Sequence, residues 1–410
     1  MTSRPAAWKP SLEELQEVRR ASSDTVKTTP VFSLAELSRR CGGTIAVKAE
    51  SLQRTGSFKL RGALSKLRDR SAENCRGVVA GSAGNHGQAL AYAARARGIP
   101  CTVFMPQDAP VSKLAAVEAF GATVRQEGGS VDDCVGAARR LAEREELTFV
   151  HPFDDIEVIK GQAGVGLELH EQVPDLAQVI VPVGGGGLIS GVAMALKLSR
   201  PDIRVVGVQA EGCAAFPQSL REHHPVAVGA PSTIADGIGV KRPGDLTLGL
   251  VAEWVDEVVV VVDDAIAEAM VLLVERGKLV SEGAGAASVA ALLSGAVAPA
   301  PSGTTVALIS GGNVDARILA AVINRHQTSV GRRTRLFTRV ADRPHGLADL
   351  LQAVADAGGN VLDVMHVRDG VALNVDETGV ELVIETRSQA HRIELIKQIR
   401  QAGYSLTEMT

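Results

Sequence analysis

GVVAGSAGNHGQALAYAARARGIPCTVFM, residues 77–105, decides the fold. It opens on a short apolar run at 77–80 and closes on another at 101–105. Each is rich in β-branched or small apolar residues, the pattern of a strand covered on both faces. Between them, residues 87–98 carry apolar side chains three and four apart and stop at Gly98, as helices do. Strand, helix, strand over so short a span is a βαβ unit, whose strands run parallel. The glycines and small polar residues at 81–87 fall in the first strand-to-helix turn. That is where open parallel sheets bind their ligands.

The same grammar extends in both directions. Runs at 44–49, 178–182, 204–209 and 305–309 read as further buried strands, and VSKLAAVEAFG (111–121) as another helix. Alternating strand and helix predict an α/β fold with parallel sheet. Aromatic residues make up only 3%, so Ala, Val and Leu must build a core of closely packed helix and sheet. AVAPAPSG (296–303) is read as a surface loop, because the strand at 305–309 follows at once. The polar, basic QTSVGRRTR (327–335) marks a domain boundary between 330 and 331. Beyond it come a strand at 334–340, a helix at 344–359, strands at 360–367 and 378–385, a helix near 389–402 and a last strand in YSLTEM. This β-α-β-β-α-β order is the ferredoxin-like unit. Two domains are expected, 1–330 and 331–410.

Charge and cysteine content exclude several classes. With 43 Lys+Arg against 47 Asp+Glu, the net charge of −4 offers no general affinity for nucleic acid or anionic membrane. The five cysteines are scattered and none forms a CxxC pair, which argues against a disulfide framework or structural zinc. The N-terminal twenty residues contain no apolar stretch of the signal-peptide kind, and the longest Val run, 258–262, is far too short to cross a bilayer. A cytoplasmic protein is the expectation.

Three segments carry the chemistry, each at a predicted strand end. In GSFKLRGA (56–63), Lys59 sits among small and apolar neighbours. It is either a surface lysine or one kept partly desolvated, with a lowered pKa that suits imine formation. In GSAGNHGQA (81–89), glycines shape the turn, and exposed N–H groups at a helix start form an anion site. His86 there reads equally as a structural or a catalytic residue. In PVGGGGLISG (182–191), four consecutive glycines let the backbone wrap an anion. The dinucleotide fingerprint GxGxxG/A fails, because Ile189 or Ser190 occupies its third position. A single phosphate is the better fit. A lysine, a glycine phosphate cup and an Asn-bearing anion loop are together what a pyridoxal phosphate site requires. SGGN (310–313) adds the hydroxyl of Ser310 at one more strand end.

The order SFKxRGA, SAGNHGQ, GGGGL, SGGN resembles the fold type II pyridoxal phosphate enzymes, two open parallel-sheet subdomains. Within them it resembles the threonine/serine dehydratases, through TTP (28–30), HPFDD (151–155), DGIGV (236–240) and SEGAGA (281–286). DRPHGL (342–347) and GGNVLDV (358–364) resemble the turns of an ACT domain. The resemblance implies pyridoxal 5'-phosphate held as an imine by Lys59, with Phe58 packed on its ring and Asn85 on its ring hydroxyl. It places the phosphate on Gly184, Gly185, Gly186, Gly187 and Leu188, and Ser310 at the pyridine nitrogen. Ser82, Ala83, Gly84, Asn85 and His86 would receive the substrate carboxylate through N–H groups. Lys59, freed by the substrate, would be the general base. The reaction implied is L-threonine to 2-oxobutanoate and ammonia, with side activity on L-serine.

Alternatives on the same scaffold are a serine or 3-hydroxyaspartate dehydratase, since one methyl gives only about 1–3 kcal/mol of discrimination. Racemisation is disfavoured: serine racemases carry a serine at the position of Ala83, and a methyl cannot return a proton. A catalytically silent amino-acid sensor is disfavoured by intact Lys59, Asn85, Gly184–Gly187 and Ser310. Relatives with a divalent cation site carry a Glu and then a carboxylate several residues on; Glu211 finds no such partner in residues 212–218, so the resemblance implies no divalent metal here, with a monovalent ion or water in its place. In the family a Thr commonly follows GQ, where this chain has Ala163-Gly164. The ACT-like domain implies an amino-acid effector such as isoleucine, or a purely oligomerising role, and a homodimer or homotetramer.

Overall fold

The computed structural model describes residues 8–368 and 373–409. The chain forms two compact units, residues 1–315 and 316–410.

The first unit holds two sheets. The larger runs Val31–Ser33, Thr44–Ala49, Thr304–Ile309, Leu176–Pro182, Arg204–Ala210, Glu257–Val261. All its pairings are parallel except the first. The smaller is wholly parallel, in the order Thr123–Gln126, Cys101–Met105, Val78–Gly81, Thr148–Phe149. Of the two open parallel sheets expected, the smaller is wholly parallel and the larger is mixed, with an antiparallel edge strand. Four strands were not expected from the sequence. Thr123–Gln126 is a largely exposed edge strand, Val31–Ser33 and Thr148–Phe149 are two or three residues long, and the half-covered edge strand Glu257–Val261 lies in the Val run 258–262, considered above only as a membrane span. None offers a continuous buried run.

Small residues explain how so few aromatics suffice. The helices Ile156–Gln172 and Gly187–Ser199 meet almost backbone to backbone. A Cβ on Gly166 would stand 2.7 Å from the Val192 carbonyl oxygen, and one on Gly191 2.6 Å from that of Ile159. Only glycine fits such a crossing. Around it Val165, Leu169, Val179, Ile189 and Val192 make one continuous core with the large sheet.

A fully buried ionic network ties this helix pair to the rest. Arg61, two residues beyond Lys59, grips Glu50 through Nε and Nη2, both at 2.8 Å. It also grips Glu168 at 2.7 and 2.9 Å. Lys48 Nζ bonds Glu168, the Thr29 carbonyl at 2.8 Å and Gln172 at 2.9 Å. Two cations thus face two anions. Burial opposes the Glu50 charge, but Arg61 and Lys48 hold its carboxyl below the usual range.

In the second unit the strand order Asn360–Val367, Glu377–Glu385, Arg333–Ala341, Thr407–Met409 is antiparallel throughout. Helices Gly346–Asp356 and Gln389–Gln401 complete the β-α-β-β-α-β order. Leu336, Leu350, Leu382, Leu395 and Ile399 form its core. The division between units falls fifteen residues before the 330/331 boundary expected. The polar stretch read as marking the boundary is mostly element: Gln327, Thr328 and Ser329 end the helix Ala316–Ser329, and Arg333 begins a strand.

Candidate active site

The site forms where strand ends of both sheets of the first unit converge. Lys59 opens the helix Lys59–Lys66. Its Nζ donates to the Pro152 carbonyl at 2.8 Å and lies 5.1 Å from the centre of the Phe58 ring. Burial pushes the Lys59 amine down to about 8, against the pull of Glu282. The desolvated alternative is therefore the one realised. Phe58 N–H donates to the Ser310 carbonyl at 3.0 Å, and Ser57 pairs with Gly311 in an isolated bridge. The lysine loop and the SGGN turn are thus one structure, joined across some 250 residues of chain. Ser57 Oγ is buried with no hydrogen-bond partner among the described residues.

The tetraglycine turn sits beside Pro152. Phe153 packs so tightly on it that a Cβ on Gly185 would come within 2.3 Å of the ring, and one on Gly187 within 2.8 Å of the Phe153 oxygen. Gly186 has φ +95°, and a Cβ there would meet Phe216 at 2.7 Å. These glycines are required by space as well as by backbone angle. Among the described residues, the N–H groups of 184–188 donate to no protein acceptor. They form a concave nest at the start of the helix Gly187–Ser199, the arrangement that binds a phosphate.

The second anion loop differs in detail from its expectation. Ser82 Oγ accepts from the N–H groups of Gly84 at 3.2 Å and Gly87 at 3.1 Å, and Ser82 N–H bonds the Phe104 carbonyl. The N–H groups of Ser82 and Gly84 are therefore already used in shaping the turn. The N–H groups of Ala83, Asn85 and His86 remain for a ligand, and nothing lies within 4 Å of where a Cβ on Gly84 would be. The His86 ring turns inward: Nε2 contacts the Val150 carbonyl at 3.0 Å, and burial, with Lys59 nearby, pushes its pKa down to about 3. His86 can serve through its backbone while its neutral ring packs. His151 is also neutral, pushed down to about 4 by burial and by Arg139; its Nδ1 accepts from the N–H groups of Phe153 and Asp154.

One residue escaped sequence reasoning. Glu282, quoted only as part of SEGAGA, is buried and accepts from Asn85 Nδ2 at 2.7 Å. Burial, with Asp236, pushes its carboxyl up to about 7. A carboxylate directly before a helix rich in Gly and Ala reads as an ordinary cap, so no local signal marks it. Glu211 is exposed, and no group of three metal-ligating side chains occurs among the described residues.

The donor set fits pyridoxal phosphate: a desolvated amine, a nest of unpaired N–H groups for a phosphate, an aromatic ring beside the amine and an unpartnered buried hydroxyl. Comparison with known proteins agrees. Residues 22–311 match the family described as pyridoxal-phosphate dependent enzyme. An L-threonine ammonia-lyase of Thermotoga maritima is 44% identical over 398 residues, 97% of this chain and 98% of that protein. The processed form of threonine deaminase isoform 2 from Solanum lycopersicum superposes with a TM-score of 0.71 at 34% identity, over 78% of this chain and 95% of that one. Maize serine racemase does so with a TM-score of 0.73 at 34% identity, over 78% and 99%.

Proposed function

This chain belongs to the pyridoxal-phosphate dependent enzymes, and from that premise we propose that its site deaminates L-threonine to 2-oxobutanoate and ammonia. The observation that carries this reading is the desolvated Lys59 amine beside the unpaired N–H nest of residues 184–188. The near full-length likeness to an L-threonine ammonia-lyase supports it. When bound, the cofactor withdraws electrons from the substrate Cα and makes its proton removable. Lys59 Nζ would hold the cofactor and would accept the Cα proton as general base; with its pKa at about 8 the neutral amine is accessible at neutral pH. Residues 184–188 hold the phosphate. Phe58, Asn85 and Ser310 would hold the cofactor's ring, Asn85 and Ser310 supplying its polar partners. The N–H groups of Ala83, Asn85 and His86 receive the substrate carboxylate.

L-Serine is a side substrate in this reading. Racemisation is not supported, although serine racemase is among the structural neighbours: the Ala83 methyl can neither donate nor accept a proton. We read the second unit as an ACT-type regulatory domain of a homo-oligomer, on its β-α-β-β-α-β order and sheet order, with an amino acid such as isoleucine as effector. Purified protein given L-threonine should form 2-oxobutanoate, and Lys59→Ala should form none. Wild type with bound cofactor but no product from threonine would transfer the reading to serine or 3-hydroxyaspartate. Added isoleucine should change the rate.

A further inference from the structure

Asn85 is gripped at both ends of its amide, and the chain of grips has a fixed polarity. It starts at the Thr55 carbonyl, which can only accept. The Asn313 atom 2.8 Å from it is therefore the nitrogen, Nδ2. The same Nδ2 lies 2.8 Å from Asn85, so the atom it meets is Oδ1. That turns Asn85 Nδ2 toward Glu282 Oε1, at 2.7 Å. Of the two Asn85 Nδ2 hydrogens, one is used here and the other is left for a ligand.

We propose that Glu282 and Asn313 are positioning residues, which together set the direction in which the Asn85 side chain meets the cofactor. This rests on the cofactor site described above. The seat of Glu282 is built for the purpose. A Cβ on Gly311 would stand 2.4 Å from Glu282 Oε1, and one on Gly237 3.3 Å away. Both the SGGN and the DGIGV turn thus clear space for this carboxyl. Its backbone N–H is tied to the Gly311 carbonyl at 3.2 Å. A buried carboxyl placed only for packing would be worse than an apolar side chain of the same size. Here it supplies an acceptor that cannot also donate while ionised, which reinforces the Asn85 orientation set from the Thr55 carbonyl through Asn313.

The charged groups facing Glu282 are Asp236, Lys113 and Lys59. Burial first and Asp236 next raise its pKa, while Asn85, Lys113 and Lys59 oppose them; the balance lies at about 7. Protonation removes the charge from the acceptor and weakens its hydrogen bond with Asn85 Nδ2 without reversing the orientation. The grip on Asn85 therefore weakens as pH falls through neutrality.

The test compares wild-type holoenzyme with E282Q. In E282Q the kcat should fall on the order of 10–100-fold, with KM within about threefold of wild type. The limb of the kcat/KM profile near neutral pH should disappear. The pH titration of the visible band of the lysine-bound cofactor should shift, and cofactor affinity of the stripped protein should weaken. In an N85A background, E282Q should add less than about twofold, since it acts through Asn85. Multiplicative effects in that double variant, or an unmoved visible titration, would overturn the inference. Asn313 grips the other end, so N313A must reproduce the loss should E282Q not fold; a wild-type profile in N313A would also overturn the inference. A wild-type protein that forms no visible band with the cofactor would sink the cofactor reading and this inference with it.

Discussion

Lys59 and Arg61 stand two residues apart on one helix, Lys59 partly and Arg61 fully buried, and their fates are opposite. Arg61 meets two carboxylates in four short hydrogen bonds, with Lys48 balancing the count. Its charge is locked. Among the described residues, Lys59 Nζ has a single carbonyl partner at hydrogen-bond distance, and its amine is pushed down to about 8. Its charge is negotiable. Burial alone does not produce chemistry: a buried ion with full partners is structural, and one deprived of them becomes a usable acid or base.

The comparison can be broken most forcefully at Arg61. Arg61→Met leaves Glu50 and Glu168 buried without their main partner. Removing one member of such a network typically destabilises by about 3–5 kcal/mol. A large fall in Tm should result, measured by thermal denaturation of the cofactor-free protein. A Tm unchanged within a few degrees would show the network to be dispensable. Gly185→Ala should have the next largest effect, because its Cβ would come within 2.3 Å of the Phe153 ring. Overpacking of this kind costs about 1–3 kcal/mol, and here displacement of Phe153 should also weaken cofactor affinity, read by equilibrium titration.

Lys59→Met sharpens the contrast, because its sign is reversed. The folded pKa of Lys59 is about 8, below its ordinary value of 10.5. The folded protein therefore carries the whole cost of the buried charge below pH 8. That cost is relieved as pH rises between the two values, since the unfolded chain then holds the proton more tightly. Cofactor-free Lys59→Met should be more stable than wild type at pH 6 to 7, with the gain shrinking above pH 8. A loss of stability at pH 6 would show that Lys59 is structurally paired after all. Activity falls to background in the same variant, separating stability from chemistry.

Much of this was legible in the linear chain. The strands at 44–49 and 101–105 lie where their apolar runs placed them, and those at 178–182, 204–209 and 305–309 differ by one or two residues at an end. The second unit kept its expected order of elements. The motif residues Phe58, Lys59, Asn85, Gly184–Gly187 and Ser310 do converge, because each follows a strand and parallel strands end on one side of their sheet. The boundary expected at 330 departs from the division after Asp315 because polar residues can belong to the exposed turn of a helix as readily as to a linker.

Periodicity and turn chemistry are local properties, so the sequence by itself determined the elements, the two glycine-rich turns and the kind of cofactor they suit. Partnership is not local. Arg61 meets Glu168 across 107 residues and Asn85 meets Glu282 across 197. Which buried cation keeps its charge and which loses it depends on those meetings. So does the freedom of one N–H over another, as when Ser82 spends its hydroxyl on Gly84 and Gly87. Tertiary structure alone decided these, because a pKa is set by the solvent removed and the charges brought near, and neither is written in the spacing of residues.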